Sequence, residues 1–167
     1  MYPGLSSSSR RGEGFTFVEV IVTLVILSIM ASVAIPYMEI TLQRQKEYEL
    51  RSALREVRSA IDRFHRDWEE GLLSRSGSQA SEDGYPRTLE VLVEGVDEVG
   101  KIGKRRYFLR RIPQNPFADV QAPSESQWVI RGYQDSPDAL FWNGEDVYDL
   151  RAATDKVAID GTLYNSW

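Results

Sequence analysis

Cysteine is absent from the 167 residues, so the chain can form neither a disulfide nor a thiolate metal site. Histidine occurs once, at His65, which works against a His-rich metal centre and against a Ser-His-Asp triad. No glycine-rich phosphate loop and no Gly-x-Ser-x-Gly element is present, and no two of the many carboxylates are marked as an acid–base pair. Positive charge is not in excess either. The formal net charge of −5 speaks against a nucleic-acid binder. Together these absences predict a protein that is not an enzyme.

Charge is also missing from one long stretch, positions 20–38. The chain opens on a serine run with glycines, MYPGLSSSSRRGEG, which predicts no stable structure. An apolar run, FTFVEVIVTLVILSIMASVAIP, then begins abruptly at Phe15. Residues 15–36 are long enough for a transmembrane helix, which takes about 20 apolar residues. Arg10 and Arg11 stand just before the run and are expected to hold that end in the cytoplasm, with the remainder across the membrane. Glu19 does not fit a simple anchor. A carboxylate at the centre of a spanning helix costs about 2.5 kcal/mol or more, and less near the end. No Lys or Arg follows within a helical turn, and Arg11 could reach only by folding back. A new α-amino group, made by cleavage before Phe15, is another candidate partner.

The sequence Arg-Arg-Gly-Glu-Gly14, then Phe15-Thr16-Phe17-Val18-Glu19, then the apolar run, resembles the type III signal of type IV pilins and pseudopilins. That resemblance implies cleavage after Gly14 by a prepilin peptidase, which removes residues 1–14 as a leader, and N-methylation of Phe15. It also implies that Glu19 pairs with the N-terminal amine of a neighbouring subunit during assembly. Two buried charges each cost several kcal/mol alone, and pairing offsets this, so a subunit inserted out of register leaves a charge unpaired. Two plainer readings compete. The run could be an ordinary secretory signal cleaved after Ala34, releasing an exported soluble binding module or enzyme, or it could be an uncleaved anchor. Neither explains a glycine directly before the run together with a glutamate inside it.

Pro36 removes one helical hydrogen bond, and no turn cluster follows it, so a kink is expected near Pro36 and not a stop. Beyond it, Leu50, Leu54, Val57, Ile61, Phe64 and Trp68 recur at alternating spacings of four and three, with Ala53 and Ala60 widening the stripe. This predicts a stem helix to about residue 70, ended by Gly71. Glu47 with Arg51, Asp62 with Arg66 and Arg63 with Asp67 are spaced to pair along its outer face. The stripe suits packing on the chain's own C-terminal domain, although a coiled-coil dimer would use the same pattern. His65 reads as a boundary residue beside the stripe.

Residues 74–84 read as a polar loop and 84–93 as a turn entering a short helix. Residues 107–117 read as an extended path set by Pro113 and Pro116, and 127–133 as a strand. Residues 139–142 and 147–152, around Asn143-Gly144, read as a hairpin or its neighbourhood. The expected fold class is α+β: a long N-terminal helix, apolar in its first third, packed on a small C-terminal antiparallel sheet, with residues 37–167 as a periplasmic domain. Tyr-Pro-x-Thr-Leu-Glu-x-Leu-Val from Tyr85, and Tyr-x-x-x-x-Ile-Pro-x-x-Pro-Phe from Tyr107, resemble the major pseudopilin of type II secretion. Type IV pilins proper often close a C-terminal loop with a disulfide, which this chain lacks the cysteines to form.

The resemblance implies a single-pass protein of the bacterial inner membrane that forms a homo-oligomeric filament with other pseudopilins. Its other implied partners are an inner-membrane assembly platform and its ATPase. Major pseudopilins often bind calcium in a C-terminal loop, and the matching carboxylates here are Asp155 and Asp160, with Lys156 between them. Calcium needs 6–8 oxygen ligands, which makes an ordinary polar loop, held by Tyr164 and Trp167, the competing expectation. The basic cluster Lys101, Lys104, Arg105, Arg106, Arg110 and Arg111 reads as a solvated loop or as a contact with an acidic face of the next subunit, not as a nucleic-acid surface.

Overall fold

A computed structural model describes residues 14–75, 79–119, 121–137, 139 and 141–167. Positions 1–13, which include Arg10 and Arg11, lie outside the described residues. The chain divides into two units between Thr41 and Leu42.

Helix α1 (Phe17–Glu69) runs unbroken through position 36. In the first unit every described side chain of the apolar run is exposed, and the helix is long and apolar enough to cross a membrane. Two of its hydroxyls are turned onto its own backbone: Thr23 donates to the Val20 carbonyl at 2.8 Å and Ser28 to the Leu24 carbonyl at 2.7 Å. That leaves these side chains no donor to satisfy outside the helix, as a hydrocarbon environment requires.

In the second unit the helix becomes one-sided. Leu50, Leu54, Val57, Ile61 and Phe64 are buried along one face, with Ala53 and Ala60 between them and Trp68 partly covered at the end. The sequence stripe is this core face. Gly71, at φ +70°, stops the helix. Its N–H donates to the Trp68 carbonyl at 3.0 Å and the Leu72 N–H to the Asp67 carbonyl at 2.9 Å, a paired cap that needs the left-handed residue.

The C-terminal region supplies what covers that face. Helix α2 (Leu89–Glu94) buries Leu89, Val91 and Leu92. Strands β1 (Val96–Asp97) and β2 (Arg105–Arg106) form one antiparallel pair, and β3 (Trp128–Arg131) and β4 (Asp149–Ala152) form another. The fold is α+β, with its sheet content split into two small ribbons. Asp149 ties the second ribbon to α1: its carboxylate accepts from Arg58 Nε at 2.7 Å and from Arg131 Nη2 at 3.3 Å. Buried Gln127 and Asn115 satisfy each other's backbone groups, at 2.9 Å and 3.1 Å. No fully buried side-chain polar atom is left without a partner among the described residues.

Two expectations are corrected. The strand at 149–152 pairs with 128–131, not with 139–142. Asn143 instead closes a local turn, its side chain accepting the Glu145 N–H at 2.9 Å. None of the three helix-face ion pairs forms among the described residues, and in two of them tertiary partners take the same groups. Arg51 pairs with Asp160, Asp67 with Arg106, and Arg63 donates to the Phe108 carbonyl. The β1–β2 hairpin, with Val96 opposite Arg106 and Asp97 opposite Arg105, is not signalled by the sequence, where residues 101–106 read only as a basic cluster.

Candidate functional site

Two places carry the residues singled out by sequence. The first is the head of α1. Gly14, Phe15 and Thr16 precede the helix, and nothing lies within 4 Å of where a Gly14 side chain would stand. Phe15 is 81% exposed. The Thr16 hydroxyl accepts the Glu19 N–H at 3.3 Å, and the Val20 N–H reaches the Thr16 carbonyl at 3.2 Å. Thr16 is therefore the N-cap, a role the sequence reading missed, although Thr-x-x-Glu is the capping-box pattern. Glu19 sits in the first turn, where the helix dipole favours a carboxylate. Its side chain has no hydrogen-bond or ion-pair partner among the described residues. The head of the helix thus offers an exposed glycine–phenylalanine bond, and one turn further on a carboxylate in apolar surroundings.

The second place is the C-terminal loop, where Asp155 and Asp160 are found. Asp160 Oδ1 accepts from the Thr162 hydroxyl at 2.6 Å and from its backbone N–H at 3.0 Å. The other oxygen faces Arg51 at 3.6 Å. The Thr162 bonds, with Arg51 adding, hold the Asp160 carboxyl below its usual range. Asp155 accepts from the Asn165 amide at 3.1 Å. Among the described residues no three carboxylates or imidazoles come together. The donors present do not fit a calcium ion, which needs several oxygens free to converge. Each carboxylate is already matched by a donor of the chain itself.

What holds this loop is the stem helix. Glu47 Oε1 accepts from the Ile159 N–H at 2.8 Å and from the Tyr164 hydroxyl at 2.9 Å. Gln43 donates to the Val157 carbonyl at 3.3 Å and to the Tyr164 oxygen at 3.1 Å. Arg51 lies over the Trp167 ring at 4.1 Å, and Arg58 donates to the Trp167 carbonyl at 2.7 Å. Tyr164 is fully buried and stacks on Phe117 at 4.1 Å. Burial raises its phenol pKa above the usual value, with Gln43 opposing and Glu47 adding to the shift. Gln43, Glu47, Arg51 and Arg58 follow the 4-4-7 spacing of one helix face, which was the signal available in the sequence.

His65 packs as a boundary residue, its ring stacked on Tyr85 at 4.2 Å and its Nδ1 lying 3.2 Å from the Gly84 carbonyl. The basic cluster is largely self-paired: Glu98 faces Lys101, Lys104 and Arg106, and Asp97 faces Arg105.

Compared with known proteins, residues 9–35 match the family model of the prokaryotic N-terminal methylation motif. No curated protein and no solved structure matches the chain. Gly14, Phe15, Thr16 and Glu19 all lie inside the matched segment.

Proposed function

We propose that this chain is a structural subunit of a pilus-like filament, of the type II secretion pseudopilus kind, processed at its N-terminus and held in a membrane by α1 until it is assembled. Cleavage after Gly14 by a prepilin peptidase gives a chain starting at Phe15, which is then N-methylated. The C-terminal domain lies in the periplasm. An inner-membrane assembly platform and its ATPase lift subunits out of the bilayer, and α1 helices bundle as the filament core. The growing filament helps move proteins across the outer membrane. The chain acts as a mechanical part and carries no active site.

The observation that carries this reading is the head of α1: an apolar helical stretch whose described side chains are all exposed and whose first turn bears one carboxylate without a partner among the described residues, inside a segment matching the methylation motif. In hydrocarbon such a carboxylate needs a counter-charge. The amine of a neighbouring copy's Phe15 supplies one, and a copy displaced along the axis does not. The pseudopilus assignment is supported by the absence of cysteine for a C-terminal disulfide and by the Tyr85 and Tyr107 motifs.

The test is the N-terminal mass of membrane-purified protein. A chain beginning with methylated Phe15 is expected. A chain beginning at Ile35 identifies an ordinary secretory signal and a released soluble protein, and retention of all fourteen leader residues removes the counter-charge. Either result overturns the proposal.

A further inference from the structure

The hairpin that the sequence reading overlooked ends in an unusual tip. Between β1 and β2 the chain turns through Gly100 at φ +75° and Gly103 at φ +72°, and nothing lies within 4 Å of where either side chain would stand. Ile102, between them, is fully exposed, and Val99 is more than half exposed. A large aliphatic side chain held entirely in water at a glycine-flanked turn gains nothing for its own fold. Cations surround it. Across the hairpin, Lys101, Lys104, Arg105 and Arg106 outnumber Asp97, Glu98 and the Asp67 of α1 that pairs with Arg106, leaving a net +1. Glu98 alone already faces three of the four.

Elsewhere on the same unit an open groove of about 850 Å³ runs between α1 and α2. Its rim carries Glu49, Glu56, Glu90 and Glu94 against Arg110 and Arg111, a net −2. Glu56, Glu90 and Glu94 have no hydrogen-bond or ion-pair partner among the described residues. Its floor is apolar, with Ala53, Val93 and Ile112. One surface is a basic rim around an aliphatic knob, and the other is an acidic rim around an aliphatic slot.

We infer that the Gly100–Gly103 tip of one copy docks into the α1–α2 groove of a second copy of this chain, with Ile102 on the apolar floor and Lys101 and Lys104 against the groove glutamates. The two surfaces differ, so the contact is head-to-tail. A head-to-tail contact that does not close into a ring propagates as an open helical filament. The charges set partner orientation and encounter rate, and the knob supplies the desolvated centre. This contact rests on the filament reading, and it adds a second fastening between the periplasmic units.

The chain has no cysteine, so engineered thiols have no native background. Full-length Ile102→Cys and Val93→Cys variants are co-expressed, filaments are sheared off, and mild oxidation is followed by a non-reducing gel. A cross-linked dimer is expected only when both variants are present, since a disulfide requires Cα atoms within about 7 Å. In parallel, Lys101→Glu with Lys104→Glu is expected to cut filament yield about tenfold or more, and adding Glu90→Lys with Glu94→Lys is expected to restore it. Filaments that assemble without the mixed dimer, or with undiminished yield after charge reversal, overturn the contact and leave the proposed function standing. If the unmodified chain forms no filament at all, the proposed function fails and the contact with it.

Discussion

Glu47 is the point at which the C-terminal loop can be released without touching the core. It takes two donors on one oxygen, the Ile159 N–H and the Tyr164 hydroxyl. Hydrogen bonds to a charged acceptor contribute about 1.5–3 kcal/mol each. Water can replace Glu47 at the exposed Ile159 end, but not at Tyr164, which has no exposure. Glu47→Ala is therefore expected to cost about 2 kcal/mol, below the sum of the two bonds. For a domain of this size that lowers Tm by several degrees, at about 2–8 °C per kcal/mol. The assay is thermal unfolding of the full chain in detergent micelles, followed by near-UV circular dichroism, with and without calcium or a chelator. Because Asp155 and Asp160 are held by Asn165, Thr162 and Arg51, neither calcium nor chelator is expected to move Tm. A resident calcium site at a hundredfold excess over its Kd would add about 2.7 kcal/mol, a shift as large as the Glu47 effect and of opposite sign. A calcium-dependent rise of that size, or a Glu47→Ala variant as stable as the parent, refutes the view that the stem helix, and not a metal ion, fastens this loop.

Gly84→Ala places a methyl group 2.4 Å from Trp68 Cε3 at φ +82°. It is expected to cost about 2–5 kcal/mol by urea unfolding at unchanged m, whereas Gly161→Ala, equally left-handed but in open space, costs only the backbone part of about 1–2 kcal/mol. Tyr85 is pushed up to about 12, chiefly by burial and then by Tyr148 and Tyr133. Its neutral form is the one the fold favours, so its contribution is whole below pH 10 and is lost as pH rises from 10 to 12; the loss is on the order of 2 kcal/mol and is absent in Tyr85→Phe. Glu19→Ala is expected to leave membrane insertion intact, since it removes a charge from an apolar helix. It should abolish filament assembly, because an unmatched buried amine costs about 3–5 kcal/mol, and wild-type filament yield from this variant would remove the pairing role.

The long helix was legible because its signal is redundant. The alternating stripe from Leu50 to Trp68 repeats one message at every turn, and Gly71 ends it for a backbone reason that any partner would respect. The head of α1 was legible for a similar reason, since a glycine, an apolar run and an early glutamate are local in sequence. Partner choice was not. Arg51 stands four residues from Glu47 but pairs across the fold with Asp160, while Glu47 accepts from the Ile159 N–H and the Tyr164 hydroxyl. The same competition is hidden at the C-terminal loop, since residue type shows that Asp155 and Asp160 are carboxylates but not that Asn165, Thr162 and Arg51 engage their oxygens. The β1–β2 hairpin escaped because two-residue strands carry no alternation, which left Gly100 and Gly103 as the only marks of a turn. Asn143-Gly144 misled in the other direction: its turn is real, and the strand beyond it pairs elsewhere.

Thr23 and Ser28 fold their hydroxyls back onto α1 and so erase the polar landmarks between positions 20 and 31. In hydrocarbon the resulting cylinder looks alike from every bearing and is free to spin about its long axis. Orientation is thus something the helix acquires from company and surrenders as rotational entropy on joining it, so point changes around that smooth barrel should matter by where the neighbours stand.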